Sequence, residues 1–65
     1  MAYFRTPYAT VVYDHKDSVT RRILPANSIC EVAGANSTEF VVKDLCTRRL
    51  YDVPRGTFQR EFVRM

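Results

Sequence analysis

The chain has 65 residues, of which 46% are hydrophobic and 26% charged, and its formal net charge at pH 7 is +3. This length predicts one domain, residues 1–65, and the composition excludes an intrinsically disordered chain. A domain of this size buries only about 60% of the surface that its unfolded chain exposes. Small domains often compensate for this limited burial by self-association, so a homo-oligomer is an open alternative to a monomer.

Neither a membrane span nor a signal peptide is predicted. No apolar run approaches the ~20 residues that cross a bilayer, and the first residues lack a long apolar core after a basic start. The two cysteines, Cys30 and Cys46, are therefore expected to be free thiols of a cytoplasmic protein. Together with His15 they lack the paired ligand spacing of a zinc site, so we expect no metal and no cofactor.

The first half of the chain predicts two strands. Residues 9–14 are rich in β-branched and aromatic side chains, which is typical of a strand. Residues 15–18 form a polar loop. Residues 19–24 alternate imperfectly, with Arg21 on one face and Arg22 on the other. We place this second strand at the edge of a sheet, where charge deters pairing with other chains.

The second half predicts three more strands and a helical turn. Residues 28–33, 38–45 and 48–53 have strand character, and residues 34–37 are interpreted as a hairpin loop. The strand at 38–45 has apolar residues on both faces, as in a closed small barrel or a dimer. After the break at residues 54–56, Thr57 is a candidate helix N-cap. Phe58 and Phe62 follow at i, i+4, which places them on one side of a helical turn.

This order of elements resembles an SH3-like barrel. The run VVYD with the polar loop after it is similar to the first strand and first loop of that fold. LPANSICEV is similar to the stretch where a diverging turn enters the second strand, and YDVPRGTF to the last strand pair with its helical turn. The resemblance implies an all-β, five-stranded SH3-like barrel with a C-terminal helical turn. The chain has no tryptophan and no acidic first loop, so recognition of proline-rich peptides does not carry over.

A second resemblance concerns the ending, Tyr51-x-Val53-Pro54-x-x-x-Phe58-x-x-x-Phe62. It is similar to the tails of small uncharacterised bacteriophage proteins. That resemblance implies a phage or prophage origin and a location in the host cytoplasm, but no function. Very small phage proteins often act by binding a host enzyme, which is an analogy between classes of protein.

The positive charge is concentrated at the end of the chain. Residues 47–65 hold five arginines against Asp52 and Glu61, a balance of +3, whereas residues 1–46 hold five basic and five acidic side chains. Basic side chains on one surface are the footprint of nucleic-acid binding. The alternative function is therefore a small basic nucleic-acid-binding β-barrel that uses Arg48, Arg49, Arg55, Arg60 and Arg64. The predicted strand at 48–53 weakens this alternative, because neighbouring residues of a strand face opposite sides.

Protein binding is the leading hypothesis. The opening AYFRTPYA groups three aromatic side chains around an arginine in a segment with no predicted strand. Tyr and Arg are favoured anchors at interfaces, although this segment is also suited to fold back over an open end of the barrel. We expect a non-enzymatic module that binds and modulates a host protein or assembly. Its predicted protein-binding residues are Tyr3, Phe4, Arg5, Tyr8, Arg49, Arg55, Arg60 and Arg64.

Catalysis has little support in the sequence. Asp14, His15, Asp17 and Ser18 supply the residue types of a catalytic triad. A triad needs a nucleophile, a base and an orienting group that converge in a cleft, and successive loop residues point in different directions. We therefore expect no enzyme activity and assign no catalytic residue.

The predicted hairpin also places the cysteines relative to one another. With its loop at residues 34–37, Cys30 faces Val41 and Cys46 lies five residues further on, about 17 Å away at ~3.3 Å per residue. A disulfide needs Cα atoms within ~7 Å. This register therefore predicts that the two thiols do not pair.

Overall fold

The computed structural model describes residues 2–65. In this part of the chain, seven strands form one antiparallel sheet in the order β3-β2-β6-β5-β4-β1-β7, with one short helix. The prediction of an all-β chain with a single helical turn near its end is confirmed, but the sheet has seven strands rather than five. The elements are β1 (Tyr3–Arg5), β2 (Thr10–Asp14), β3 (Arg21–Leu24), β4 (Ile29–Ala35), β5 (Glu39–Asp44), β6 (Leu50–Pro54), α1 (Arg55–Glu61) and β7 (Val63–Arg64).

The two strands that the sequence did not predict lie together at one edge of the sheet. β1 pairs with β4, so that Phe4 lies opposite Cys30, and β7 pairs with β1, so that Arg64 also lies opposite Phe4. These strands have three and two residues, too few for an alternating pattern to show in the sequence. At the other edge lies β3, which pairs only with β2, and the predicted edge position of this strand is confirmed.

The predicted register of the β4–β5 hairpin is wrong. Gly34 and Ala35 belong to β4, and the register shifts at a β-bulge between Val32 and Gly34. As a result Cys30 lies opposite Asp44 and not opposite Val41. This error arises because the turn lies two residues later than predicted, with Ala35 opposite Phe40, and the bulge then shifts the pairing by one residue.

The sheet is curled around one core. The buried cluster includes Leu24 of β3 and Cys30 of β4, although these strands are four positions apart in the sheet. In a flat sheet that separation is about 19 Å, at ~4.8 Å per strand, and the two side chains would not share a core. The Cα extents of 27 × 21 × 20 Å agree with a curled sheet. The complete buried cluster is Val12, Leu24, Cys30, Val42, Tyr51, Val53, Phe58 and Phe62.

Four phenylalanine rings fix α1 on the sheet. The Phe58 ring stacks on Phe62 with centroids 4.9 Å apart, and it contacts Phe4 of β1 at 4.9 Å and Phe40 of β5 at 4.6 Å. The predicted i, i+4 pair therefore faces the core, as expected for a docked helical turn. The helix begins earlier than predicted, because Pro54 is its N-cap and Thr57 lies inside it. No helix within residues 2–65 has the length and hydropathy needed to cross a membrane.

The aromatic cluster generates a stability prediction. Phe62 is only 7% exposed, so Phe62→Ala should lower the free energy of unfolding by ~3–5 kcal/mol, a large part of the stability of a small domain. Urea unfolding followed by circular dichroism measures this change. Val19→Ala is the control, because Val19 is 78% exposed and its loss should leave the midpoint unchanged. Equal midpoints for the parent and Phe62→Ala would contradict the packing described.

Candidate functional site

Two adjacent clefts flank the turn between β5 and β6. The first, the basic cleft, has a volume of about 520 Å³ and is lined by residues 14–16 and 48–51. The second, the apolar cleft, has a volume of about 800 Å³ and is lined by residues 23–29 and 44–47 with Arg49 and Tyr51. Both clefts have Arg49 and Tyr51 in their walls. The β5–β6 turn therefore contributes side chains to two neighbouring concave surfaces.

Hydrogen bonds from Asp44 shape this turn. The buried Asp44 carboxylate accepts the Cys46 backbone N–H at 2.9 Å, and the Asp44 carbonyl oxygen accepts the Arg48 N–H at 2.7 Å. The Asp44 N–H donates to the Arg49 carbonyl oxygen at 2.9 Å. Arg48 has φ +64°, in the left-handed region, which ends the turn and lets β6 begin only at Leu50.

Arg48 and Arg49 therefore lie in a turn, and the prediction that a strand separates them is wrong. Both arginines line the basic cleft, together with Lys16 from the loop after β2. In the described part of the chain none of these three cations forms a salt bridge. The Asp14 carboxylate in the same cleft accepts the Lys16 backbone N–H at 2.9 Å and lies 3.5 Å from the Arg22 guanidinium. The cleft thus has an excess of positive charge.

A buried aspartate fastens the β2–β3 loop to β6. Asp52 is 5% exposed, and its two carboxylate oxygens contact His15 Nδ1 at 2.6 Å and the Ser18 hydroxyl at 2.8 Å. The Ser18 hydroxyl donates to this carboxylate and not to the His15 ring. A serine–histidine bond of the kind that activates a nucleophile is thus not formed here. Sequence reasoning missed Asp52, because its partners are 34 and 37 residues away along the chain.

Asp17 organises the outer part of the same loop. Its carboxylate accepts the Val19 N–H at 3.1 Å, the Thr20 N–H at 2.9 Å and the Thr20 hydroxyl. Of these hydrogen bonds, the one from the Thr20 hydroxyl contributes most to holding the pKa of Asp17 below its ordinary value of 3.8. Hydrogen bonds to the charged form favour ionisation, which explains the direction of the shift.

This shift can be tested by NMR titration of the Asp17 carboxyl. The folded pKa should lie below 3.8, so the contribution of Asp17 to stability is present above that value and is lost as the pH falls through the folded pKa. Thr20→Val removes the largest cause, and the pKa should rise towards 3.8. Thr38→Val, which removes a hydroxyl from the β4–β5 turn, should leave the pKa of Asp17 unchanged. An unshifted pKa in the parent would contradict these hydrogen bonds.

Both thiols are free, in agreement with the prediction, although the register used to predict this is wrong. Cys30 is buried in the core, and burial raises the pKa of its thiol to about 11, with a further contribution from the charge of Asp44. Cys46 is exposed in the wall of the apolar cleft. Within residues 2–65 no group of three or more His, Cys, Asp or Glu side chains is placed to hold a metal ion.

The contrast between the thiols predicts selective labelling. In the native protein at mildly alkaline pH, a thiol reagent should label Cys46 rapidly and Cys30 slowly, because Cys30 is both buried and protonated. In urea both should react. Mass spectrometry over time measures the two rates, and Cys46→Ser should leave a single slow thiol. A native Cys30 that reacts as fast as Cys46 would contradict its burial.

The five C-terminal arginines do not form one surface. Arg55 is engaged in the fold, since its guanidinium donates to the Asn36 carbonyl oxygen at 2.9 and 2.6 Å and lies 4.5 Å from the centroid of the Phe40 ring. Along β6, Arg49 and Arg55 are about 20 Å apart at ~3.3 Å per residue. Arg60, in the last turn of α1, and Arg64, in β7, are exposed. Only Arg48 and Arg49 line a cleft described above.

The predicted N-terminal binding residues are also divided. Tyr3 and Tyr8 are 41% and 51% exposed. Phe4 is partly buried and packs against Phe58. Tyr3 and the partly buried Arg5 alternate with Phe4 along β1, so they lie on the opposite face of the sheet. Tyr3, Arg5 and Tyr8 remain accessible to a partner, whereas Phe4 mainly serves the core.

Comparisons with protein-family models, with curated proteins and with solved structures found no match to this chain. What the clefts can bind therefore follows from their own residues. The basic cleft offers uncompensated cations, and the apolar cleft offers a surface for aliphatic groups. Lys16 and Ile23, which line the two clefts, were not among the predicted binding residues, because their positions depend on the curl of the sheet.

Proposed function

We propose that the chain is a non-enzymatic protein-interaction module, encoded by a phage, that binds and modulates a host protein or assembly in the host cytoplasm. The observation that carries this proposal is the shared wall of the two clefts, where Arg49 and Tyr51 separate a basic surface from an apolar one. Charges steer the encounter of two proteins, and buried apolar contacts hold the complex. A surface with both parts side by side suits a protein partner.

We further propose that the curled sheet is an SH3-like barrel. In support, α1 lies between β6 and β7, in the place where the resemblance puts a helical turn within the last strand pair. In this interpretation β1, β4, β5, β6 and β7 are the five strands of the barrel. The hairpin of β2 and β3 then corresponds to the long first loop, so VVYD belongs to that loop and not to the first strand.

A phage origin has its support in the C-terminal pattern. Tyr51, Val53, Phe58 and Phe62 are all buried in the core. The residues that resemble phage proteins are thus those that pack β6 and α1 together. Such a pattern is expected of chains with a common fold, and it is compatible with many functions.

Affinity capture from a nuclease-treated host lysate tests the proposed function. The parent should retain a host protein that Arg48→Gln/Arg49→Gln retains much less, because each lost cation weakens steering and contact. Arg60→Gln/Arg64→Gln is the matched control, since it removes the same charge away from the clefts. Quantitative mass spectrometry compares the three samples. An unrelated domain of equal charge serves as the second control. If the parent retains no protein that this domain does not also retain, the proposed function fails.

Nucleic-acid binding is a second candidate, favoured by the finding that Arg48 and Arg49 lie together with Lys16 in one cleft. Phosphate contacts release counterions, so such binding weakens steeply as salt increases. A single-stranded oligonucleotide titrated at low and at physiological salt measures this dependence. Micromolar binding at physiological salt that is lost in Arg48→Gln/Arg49→Gln would replace the protein-binding proposal.

A further inference from the structure

We infer that the two clefts together bind an extended acidic peptide segment of the partner, with carboxylates in the basic cleft and an aliphatic side chain in the apolar cleft. This inference rests on the proposed function, because it names the chemistry of the protein partner. It also assigns binding to the surface of the two clefts and not to the exposed side chains of Tyr3 and Tyr8.

The positive charge of the basic cleft favours an anionic ligand. Lys16, Arg48 and Arg49 have no salt-bridge partner within residues 2–65, and the nearby carboxylates are already engaged. Asp14 lies against Arg22, and Asp52 accepts hydrogen bonds from the β2–β3 loop. The chain therefore does not neutralise this cleft, and carboxylates of a partner would do so.

The apolar cleft favours an aliphatic group of the ligand. Its wall includes Ile23, Pro25, Ile29 and Leu45, and Ile23 is 66% exposed. Arg49 is the single basic residue among its lining residues, and it is shared with the basic cleft. An exposed β-branched side chain beside a concave apolar wall gains most from contact with another apolar side chain.

The shared wall sets the spacing of the two ligand groups. An extended peptide advances ~3.3 Å per residue, so neighbouring clefts are spanned by a segment of a few residues. The aliphatic residue and the acidic residues should therefore be close together in the sequence of the partner. A segment with acidic residues on both sides of one leucine satisfies this condition in either chain direction.

The clefts suit a peptide better than a nucleic acid. Single-stranded nucleic acids are held by aromatic rings on which bases stack, in addition to cations. Tyr51, the one Tyr, Phe or Trp side chain that lines the clefts, is only 8% exposed, and the His15 ring of the basic cleft is held by Asp52. The exposed Tyr3 and Tyr8 lie outside the clefts. A phosphate backbone would use the basic cleft and leave the apolar cleft unfilled.

Fluorescence anisotropy with short labelled probes tests this inference on the full chain. The main probe is a peptide with one leucine flanked on both sides by glutamates in a Gly-Ser background. Three matched probes replace the leucine by serine, replace the glutamates by glutamine, or substitute a single-stranded oligothymidylate for the peptide. We expect the leucine–glutamate peptide to bind most tightly, and both altered peptides to bind roughly tenfold more weakly or worse, which corresponds to about 1.4 kcal/mol or more.

Two variants with matched controls locate the binding surface. Arg48→Gln/Arg49→Gln and Ile23→Ser should each weaken the main probe by roughly tenfold. Arg60→Gln/Arg64→Gln removes equal charge elsewhere, and Val19→Ser removes an apolar side chain that is 78% exposed outside the clefts. Both controls should bind like the parent. Circular dichroism melts confirm that each variant folds, and Ile23→Ser is expected to fold because Ile23 is already largely exposed.

The outcomes separate this inference from the proposed function. The inference is overturned if the main probe does not bind, if cleft and control variants bind alike, or if the oligothymidylate binds more tightly than the peptide and loses affinity in Arg48→Gln/Arg49→Gln. If a host protein is still captured from lysate by both cleft variants, the interaction module stands and its surface lies elsewhere, with Tyr3 and Tyr8. If the probes bind as expected but no host protein is captured, the proposed function fails while the peptide chemistry of the clefts holds.

Discussion

The contact on which the rest of the structure depends is the packing of the Phe58 ring. Its centroid lies within 5 Å of the ring centroids of Phe4 in β1, Phe40 in β5 and Phe62, the C-cap of α1. The cluster thereby joins residues from the beginning, the middle and the end of the chain. By docking α1 on the sheet, Phe58 places β7 where it can pair with β1, and these short strands complete the sheet.

The position of α1 also decides how the positive charge is distributed. Because β6 runs from the β5–β6 turn to the start of α1, the arginines before and after it lie at opposite ends of a strand. Arg55, at the far end, stacks on Phe40 and bonds to Asn36, so it stabilises the aromatic cluster from outside. Arg48 and Arg49, at the near end, remain unpaired within the described chain and give the basic cleft its charge. The positive charge that is clustered in the sequence is thus divided in space between the aromatic cluster and the basic cleft.

The local sequence pattern was sufficient to predict several of the longer strands and the helical turn. β2, β5 and β6 are rich in β-branched and aromatic residues, and Phe58 and Phe62 have helical spacing, so these elements could be predicted. The strands β1 and β7 could not, because they are held by pairing between the ends of the chain. The extension of β4 to Ala35 and the bulge between Val32 and Gly34 together changed the residue that Cys30 faces, and the sequence pattern predicted neither. The candidate clefts could not be predicted either, because Lys16 and Arg48 in the basic cleft, and Ile23 and Leu45 in the apolar cleft, come from segments that are distant in the sequence.

Backbone strain points to the same surface as the charge. In the described chain three residues other than glycine have positive φ, Ser18 at 61°, Asn27 at 66° and Arg48 at 64°. Asn adopts this region readily, whereas for serine and arginine it costs of order 1–3 kcal/mol and persists only where surrounding contacts fix it. Those contacts are the bond from Ser18 to Asp52 and the bonds between Asp44 and the turn that contains Arg48. All three residues belong to the loops around the two clefts, and the buried carboxylates of Asp44 and Asp52 hold in place two of these loops, the β5–β6 turn and the β2–β3 loop.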